Sequence, residues 1–216
     1  MRFSGKAYLV ITVLFLILPL SGCTPCFSTE KYLESIYGNG FRKTDGTYYF
    51  DKIHYSFDEN NNPIKRVAHS SPIEVPEEDR IFYEGNELIL TSSKDTYIQE
   101  ETVEITIYNN TDTTIACDDL NILDVNLDGT WYCLNLDQFV VSGQLWIGPR
   151  EYSTYHIDSD AFGANEVIPV EGDDAIMIHK IEVPLCKGLY RSIVSARLNI
   201  DNDPCPSLFY VEFEIV

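Results

Sequence analysis

The chain has 216 residues, with 34 acidic and 15 basic side chains and a formal net charge of −19. A charge of this sign and size repels nucleic acid and anionic lipid headgroups, so direct binding to either is not expected. The sequence contains no G-x-S-x-G, no phosphate-binding loop and no dinucleotide fingerprint, and its four histidines have no metal-binding spacing. We therefore predict a protein that is not an enzyme and carries no cofactor.

The first 22 residues are typical of an export signal. Arg2 and Lys6 precede a run without charged side chains from Ala7 to Leu20. Fourteen residues form roughly 21 Å of helix, which is short of the roughly 30 Å hydrocarbon layer of a bilayer. The pattern predicts a signal peptide over residues 1–22, removed on export.

The four residues Leu20-Ser21-Gly22-Cys23 resemble the lipobox of bacterial lipoproteins. The resemblance implies that Cys23 receives acyl chains and becomes the N-terminus of a protein held on the cell membrane, facing outward. Two acyl chains anchor stably, whereas one binds only marginally. An ordinary signal peptide or an uncleaved anchor is the alternative. Without Arg2 and Lys6 the mature chain keeps 13 basic residues and a net charge of −21.

Residues 23–80 are predicted to form a tether, a small module and a linker. The segment 28–37 has apolar side chains on one helical face, with Ser28 or Thr29 as cap and Gly38 at its end. Residues 47–57 and 64–69 read as two strands of a hairpin around the turn at 58–63. A lone hairpin is marginal in water, so it must pack on the helix or on the next domain. Two prolines and an acidic run make 70–80 a predicted linker.

Residues 81–216 are predicted to be all β. Strict alternation of apolar and polar residues marks 102–108 and 120–127, and Asp128-Gly129 is a strong two-residue hairpin signal. Further strands are predicted over 87–91, 130–136, 138–147, 152–157, 176–183, 188–200 and 208–216. Many short strands with frequent turns are the pattern of a β-sandwich.

Three segments in this part, 90–110, 128–132 and 188–191, resemble the immunoglobulin-like domain of lipoproteins from Firmicutes-type bacteria. The resemblance covers about residues 88–216 and implies a fold and a cell-surface setting, but no reaction. The acidic stretch 158–174 and four cysteines depart from the pattern. We thus expect a mainly β protein with a C-terminal immunoglobulin-like β-sandwich, preceded by a small α+β module. In it, Trp131 is expected to fill the core between the sheets. Tyr190 is expected to send its hydroxyl to a backbone partner.

Five cysteines remain if Cys23 carries lipid. Exported proteins hold disulfides, and the immunoglobulin-like topology that the resemblance implies would bring two pairs of cysteines to the two ends of the sandwich. It favours Cys117–Cys205 and Cys133–Cys186, with free or differently paired thiols as the alternative. The strand 188–200 separates Cys186 from Cys205 by roughly 40 Å, which argues against that pair. Cys26, on the tether, is the expected odd thiol.

Asp124, Asn126 and Asp128 match the start of a calcium loop, but the twelfth position is Asn135 instead of glutamate. The same residues suit the polar side of a strand entering a tight turn, which is the preferred interpretation. The expected function is a membrane-anchored module that binds a protein or a glycan, and a solute- or calcium-binding lipoprotein is the alternative.

Overall fold

A computed structural model describes residues 28–60, 62–134, 144–159, 165–169, 176–180, 183–198 and 206–216. It is mainly β, as predicted. The elements in chain order are α1 Thr29–Tyr37, β1 Phe41–Thr44, β2 Thr47–Phe57, β3 Pro63–Pro72, β4 Leu88–Ser92, β5 Thr96–Tyr97, β6 Val103–Asn109, β7 Ile115–Leu127, β8 Thr130–Cys133, β9 Leu145–Ile147, β10 Tyr152–Ile157, β11 Asn165–Pro169, β12 Ile176–Lys180, β13 Gly188–Arg197 and β14 Ser207–Ile215.

Two sheets form the sandwich. The large sheet has the order β5-β14-β13-β7-β8, with β9 beside the first part of β7, and the small sheet has the order β10-β6-β4. Alternation along β6 explains the packing, because Val103, Ile105 and Ile107 are fully buried while Glu104 is exposed. Apolar residues of both sheets meet in the core, and the β-sandwich is confirmed.

The Asp128-Gly129 hairpin forms as predicted. Asp128 and Gly129 both have positive φ, at 53° and 86°, between β7 and β8. Two positive φ angles in a two-residue loop define a type I′ turn, whose twist matches that of the strands. Local turn chemistry therefore sets the register of this edge of the large sheet.

Helix α1 is part of the sandwich core. Ser28 caps it through its hydroxyl, which accepts from the Lys31 N–H, and Gly38 ends it with φ 55°. Its apolar face shares one hydrophobic cluster with inner-face residues of β7, β8 and β13. The buried residues of that face are Tyr32, Leu33, Ile36 and Tyr37. The module is consequently not a separate body, because its helix completes the core of the sandwich.

Strands β1, β2 and β3 form a separate antiparallel sheet, and the predicted hairpin is confirmed within it. This sheet joins the edge of the large sheet through Ile73. The Ile73 N–H donates to the carbonyl of Tyr48 in β2, and the Ile73 carbonyl accepts from the N–H of Cys133 in β8. Ile73 is fully buried at this junction.

Residues 73–83, here called the strap, include most of the segment 70–80 that is predicted to be a linker. At one edge of the large sheet, the Val75 N–H donates to the carbonyl of Trp131 in β8. Across the sheet from that edge, the Tyr83 N–H donates to the carbonyl of Leu208 in β14. Between these points the strap crosses the outer face of the sheet. The segment 70–80, predicted as a linker, therefore begins within β3 and continues into the strap, whose two ends are held by backbone hydrogen bonds.

Candidate functional site

Under the strap lies a buried ion pair. The Arg80 guanidinium donates to both carboxylate oxygens of Asp124, at 3.2 Å and 3.1 Å. Asp124 is on β7, opposite Cys133 of β8 and Arg191 of β13, so all three lie on the outer face of the sheet. Its side chain is fully buried. Burial raises the pKa of the Asp124 carboxyl, and the charge of Arg80 offsets part of that rise.

A second arginine on this face lies among aromatic rings. The Arg191 guanidinium carbon is 3.9 Å from the centre of the Trp131 ring, 4.9 Å from that of Tyr210 and 5.0 Å from that of Phe82 in the strap. Its Nη2 lies 3.2 Å from the Glu212 carboxylate. Cation–π contacts are strong when desolvated, and Arg191 is only 8% exposed. Arg191 therefore fixes the strap to the sheet, because it contacts Phe82 of the strap as well as rings of β8 and β14.

This arrangement corrects the expectation for Trp131. The residue is buried, but it pairs with Asn126 on the outer face and contacts Arg191, so it does not lie between the sheets. The alternation of β8 explains the difference, because the next residue, Tyr132, is the one that joins the core cluster. Sequence reasoning also missed Arg80, which lies 44 residues from its partner.

Tyr190 behaves as predicted. Its ring stacks on that of Phe213 at 5.5 Å, and its hydroxyl donates to the carbonyl of Cys186 at 2.7 Å. The hydroxyl of Tyr32 in α1 lies 3.5 Å from that of Tyr190 and accepts from the N–H of Cys186. A tyrosine that bonds back to backbone a few residues upstream is a recurring corner in immunoglobulin-like sandwiches. Here Tyr190 also holds helix α1, through the hydroxyl of Tyr32.

The predicted Cys133–Cys186 disulfide is absent, and both residues carry thiols. Cys133 shares the outer face with Asp124, whereas Cys186 contacts Tyr190 on the core side, so the sheet separates the two sulfurs. Cys117 carries a buried thiol, and its predicted partner Cys205 lies outside the described residues. Burial raises the pKa of the Cys117 thiol to about 12 and also raises that of Cys186. Both are protonated at neutral pH.

Each of the three residues of the predicted calcium loop has a protein partner in the structure. Asp124 is paired with Arg80, Asn126 accepts from the Gly129 N–H, and Asp128 accepts from the Thr29 hydroxyl. A cation would have to displace a guanidinium from Asp124. Of the three side chains, only Asn126 bonds within the hairpin, whereas Asp124 is held by Arg80 of the strap and Asp128 by Thr29 of α1. Among the residues that the structure describes, no group of three histidine, cysteine or acidic side chains is placed to hold a metal.

Cys23 and Cys26 lie outside the described residues, which begin at Ser28. Within the part of the chain that is described, no helix has the length and apolar character needed to cross a bilayer.

No family model matches the chain, and no curated protein matches it. Among solved structures, the chain is similar to β-glucosidase from Listeria innocua in complex with glucose, with a TM-score of 0.28 and 17% identity, over 72% of this chain and 18% of that one. The same enzyme in complex with gluconolactone gives 0.30 and 17%, over 76% and 21%. The chain spans about a fifth of that enzyme.

Proposed function

We propose that this protein is a bacterial lipoprotein, anchored outside the cell membrane through acyl chains on Cys23, whose immunoglobulin-like sandwich binds a protein or a glycan. The observation that carries the proposal is the lipobox-like Leu20–Cys23 directly after an uncharged apolar run. A diacylated cysteine gives stable attachment without a spanning helix.

The place where the tether meets the fold supports this arrangement. Ser28 caps a helix built into the core, and only four residues separate it from Cys23. Five residue steps span at most about 18 Å of extended chain. The lipid would therefore hold the whole folded body, and not a loosely linked domain, close to the bilayer.

Two exposed aromatic side chains, at the end of the sandwich that lies far from the tether, support a role in binding a partner. Trp146 and Tyr152 are 53% and 74% exposed. Trp146 pairs with Ala116 near the start of β7, whereas Thr29 contacts Asp128 just beyond the end of that strand. Twelve residues of strand separate these ends by roughly 40 Å. Exposed aromatic residues are enriched where proteins bind partners, and this pair would face away from the membrane.

Among the residues that the structure describes, the buried ionisable groups are not suited to act as nucleophiles or as a general base. A thiol must ionise to act as a nucleophile, and burial raises the pKa of both Cys117 and Cys186. The carboxylate of Asp124, another buried ionisable group, is neutralised by Arg80. The buried thiols and the Arg80–Asp124 pair are therefore suited to packing in the interior and not to a chemical reaction.

Metabolic labelling with an alkyne-bearing fatty acid tests the anchor. The wild-type protein and the matched control Cys26→Ser are expected to carry label and to sediment with membranes. Cys23→Ser is expected to lose both properties. Equal labelling of Cys23→Ser and Cys26→Ser would contradict the proposal.

Cross-linking on intact cells, with identification of the captured partner, tests the binding role. Capture of one defined partner is expected to fall at least about tenfold in Trp146→Ala. The control is Ile81→Ala, which removes an 83% exposed apolar side chain from the strap. Capture of lipid alone, or equal capture by both variants, would count against a binding role for this end.

A further inference from the structure

We propose that the outer face of the large sheet binds a neutral oligosaccharide around Trp146, with a sugar ring lying on the indole. The inference rests on the proposed binding role of this end of the sandwich and names the class of ligand. It starts from the contrast between the two tryptophans of the chain.

Both tryptophans lie on the outer face of the large sheet, but they differ in exposure. Trp131 is 6% exposed and packs against Arg191, whereas Trp146 is 53% exposed. Leu145 and Ile147 pack into the core, so Trp146 between them points to the outer face. The far end of the strap bonds to β14, and β13 and β7 separate that strand from β9. A large aromatic side chain left open on a strand is typical of a place that receives a ligand.

The neighbours of Trp146 on this face are planar polar groups. The register sets Trp146 beside Ala116 in β7, and Ala116 beside Arg197 in β13. The Cα atoms of the tryptophan and the arginine therefore lie about 10 Å apart, with a small side chain between them. Gln144, two residues before Trp146, donates through Nε2 to Oδ1 of Asp118 at 2.9 Å. An indole, an amide, a carboxylate and a guanidinium thus share one short stretch of the surface.

A salt bridge fixes the polar part of this site and cancels its charge. Nε of Arg197 lies 2.9 Å from Oδ2 of Asp118, whose other oxygen accepts from Gln144. The Arg197 side chain is 39% exposed, so the guanidinium still reaches solvent. These groups are held in place before a ligand arrives, which lowers the entropy that binding costs.

This combination of groups suits a neutral sugar. Sugar hydroxyls donate and accept, and amide, carboxylate and guanidinium groups offer paired acceptors and donors to neighbouring hydroxyls. The C–H bonds on one face of a pyranose ring pack on an aromatic ring as other apolar groups do. The core of a protein interface is instead depleted of charged residues, whereas the Asp118–Arg197 pair lies beside Trp146. A net charge of −21 on the mature chain disfavours an acidic glycan.

Acrylamide quenching of tryptophan fluorescence tests the site in the full lipidated protein, held in phosphatidylcholine vesicles that carry no sugar. Trp146 supplies the accessible emission, because Trp131 is buried. The probes are neutral tetrasaccharides, namely cellotetraose, laminaritetraose, maltotetraose, mannotetraose and chitotetraose, at about 5 mM, which fills a millimolar site. At least one is expected to lower the quenching constant about twofold. No effect from any of them would overturn the inference, as would tighter binding of the acidic tetragalacturonate.

Saturation-transfer NMR with the most protective probe tests the contacts. The protons on one face of a sugar ring are expected to receive the most saturation. Trp146→Ala is expected to weaken binding at least about tenfold, Trp146→Phe to keep most of it, and Gln144→Ala to weaken it about fivefold. The control Ile98→Ala removes a 65% exposed apolar side chain beside β5, at the opposite edge of the sheet, and is expected to bind like the wild type. Equal affinities of Trp146→Ala and Ile98→Ala would overturn the inference.

Failure of this inference is distinguishable from failure of the proposed function. If no sugar protects Trp146 while Trp146→Ala still loses capture of one defined protein on intact cells, this end binds a protein and the glycan assignment is wrong. Detection of acyl chains on Cys23 in the same sample would show that the anchor stands even if the sugar site fails.

Discussion

Arg80 and Asp124 form a two-point ion pair that fixes the strap to the outer face of the large sheet. The carboxylate has no exposed surface, while the guanidinium side chain is 19% exposed. Removing one partner of a buried pair leaves an uncompensated charge, which costs far more than the pair itself contributes. The stability of the strap therefore depends on both residues together.

We expect Arg80→Gln to lower the free energy of unfolding by about 3–5 kcal/mol, because Asp124 would be left buried and unpaired. Urea denaturation measures this. The control Arg150→Gln breaks an exposed pair with Asp112 and is expected to cost much less, because solvent screens that pair. The double variant Arg80→Met with Asp124→Leu is expected to recover most of the loss, since it leaves no charge behind. Equal losses in Arg80→Gln and Arg150→Gln would contradict the buried pair.

We expect Tyr190→Phe to destabilise the fold by about 1–3 kcal/mol, because it removes a buried hydroxyl that donates to the partly buried carbonyl of Cys186. Thermal or urea unfolding is the measurement. Tyr152→Phe removes the same atom from a side chain that is 74% exposed and is expected to change stability by less than about 0.5 kcal/mol. If the two changes were equivalent, the corner would have no structural role.

Thiol chemistry tests the correction to the disulfide prediction. Under native conditions at pH 8, Cys186 is expected to react with iodoacetamide faster than Cys117 and Cys133, because those two are 0% and 3% exposed. After unfolding without a reductant, all three are expected to be alkylated, as read by peptide mass. Detection of a disulfide-linked peptide pair that joins Cys133 to Cys186 would contradict the presence of thiols at these two residues.

Alkaline pH is expected to weaken the fold. Burial raises the pKa of Cys117 and of Tyr155 to about 12. Both groups bind their protons more tightly in the folded than in the unfolded chain, so the free energy of unfolding falls as pH rises from about 9 toward 12. Urea midpoints measured at pH 8, 9 and 10 check this. Cys117→Ala is expected to reduce the slope, and a slope unchanged by that variant would assign the effect to other groups.

The elements that the sequence predicted well are those with local signals. Ser28 and Gly38 mark the two ends of α1 to within one residue, and Asp128-Gly129 marks a hairpin. Both could be predicted because caps and tight turns depend on neighbouring residues only. Strands β1, β5 and β11 were not predicted. Two of them have four residues or fewer, and β11 lies in the acidic stretch that breaks the apolar pattern.

The strap could not be predicted, because its contacts join distant parts of the chain. Its prolines and acidic run are typical of a linker, and nothing near Arg80 in sequence indicates Asp124. One signal was available: Trp131 and Arg191 fall on the polar side of strands whose alternate residues form the core. A large aromatic residue on an outer face needs a cover, and that requirement points to a segment crossing the sheet.

The mass of the N-terminal tryptic peptide of the membrane-extracted protein tests the proposed anchor most directly. Cleavage after Lys31 releases residues 23–31. The proposal predicts that this peptide begins at Cys23 and is heavier by a diacylglyceryl group on that sulfur. A peptide that begins at another residue, or an unmodified cysteine in protein that still sediments with membranes, would contradict it.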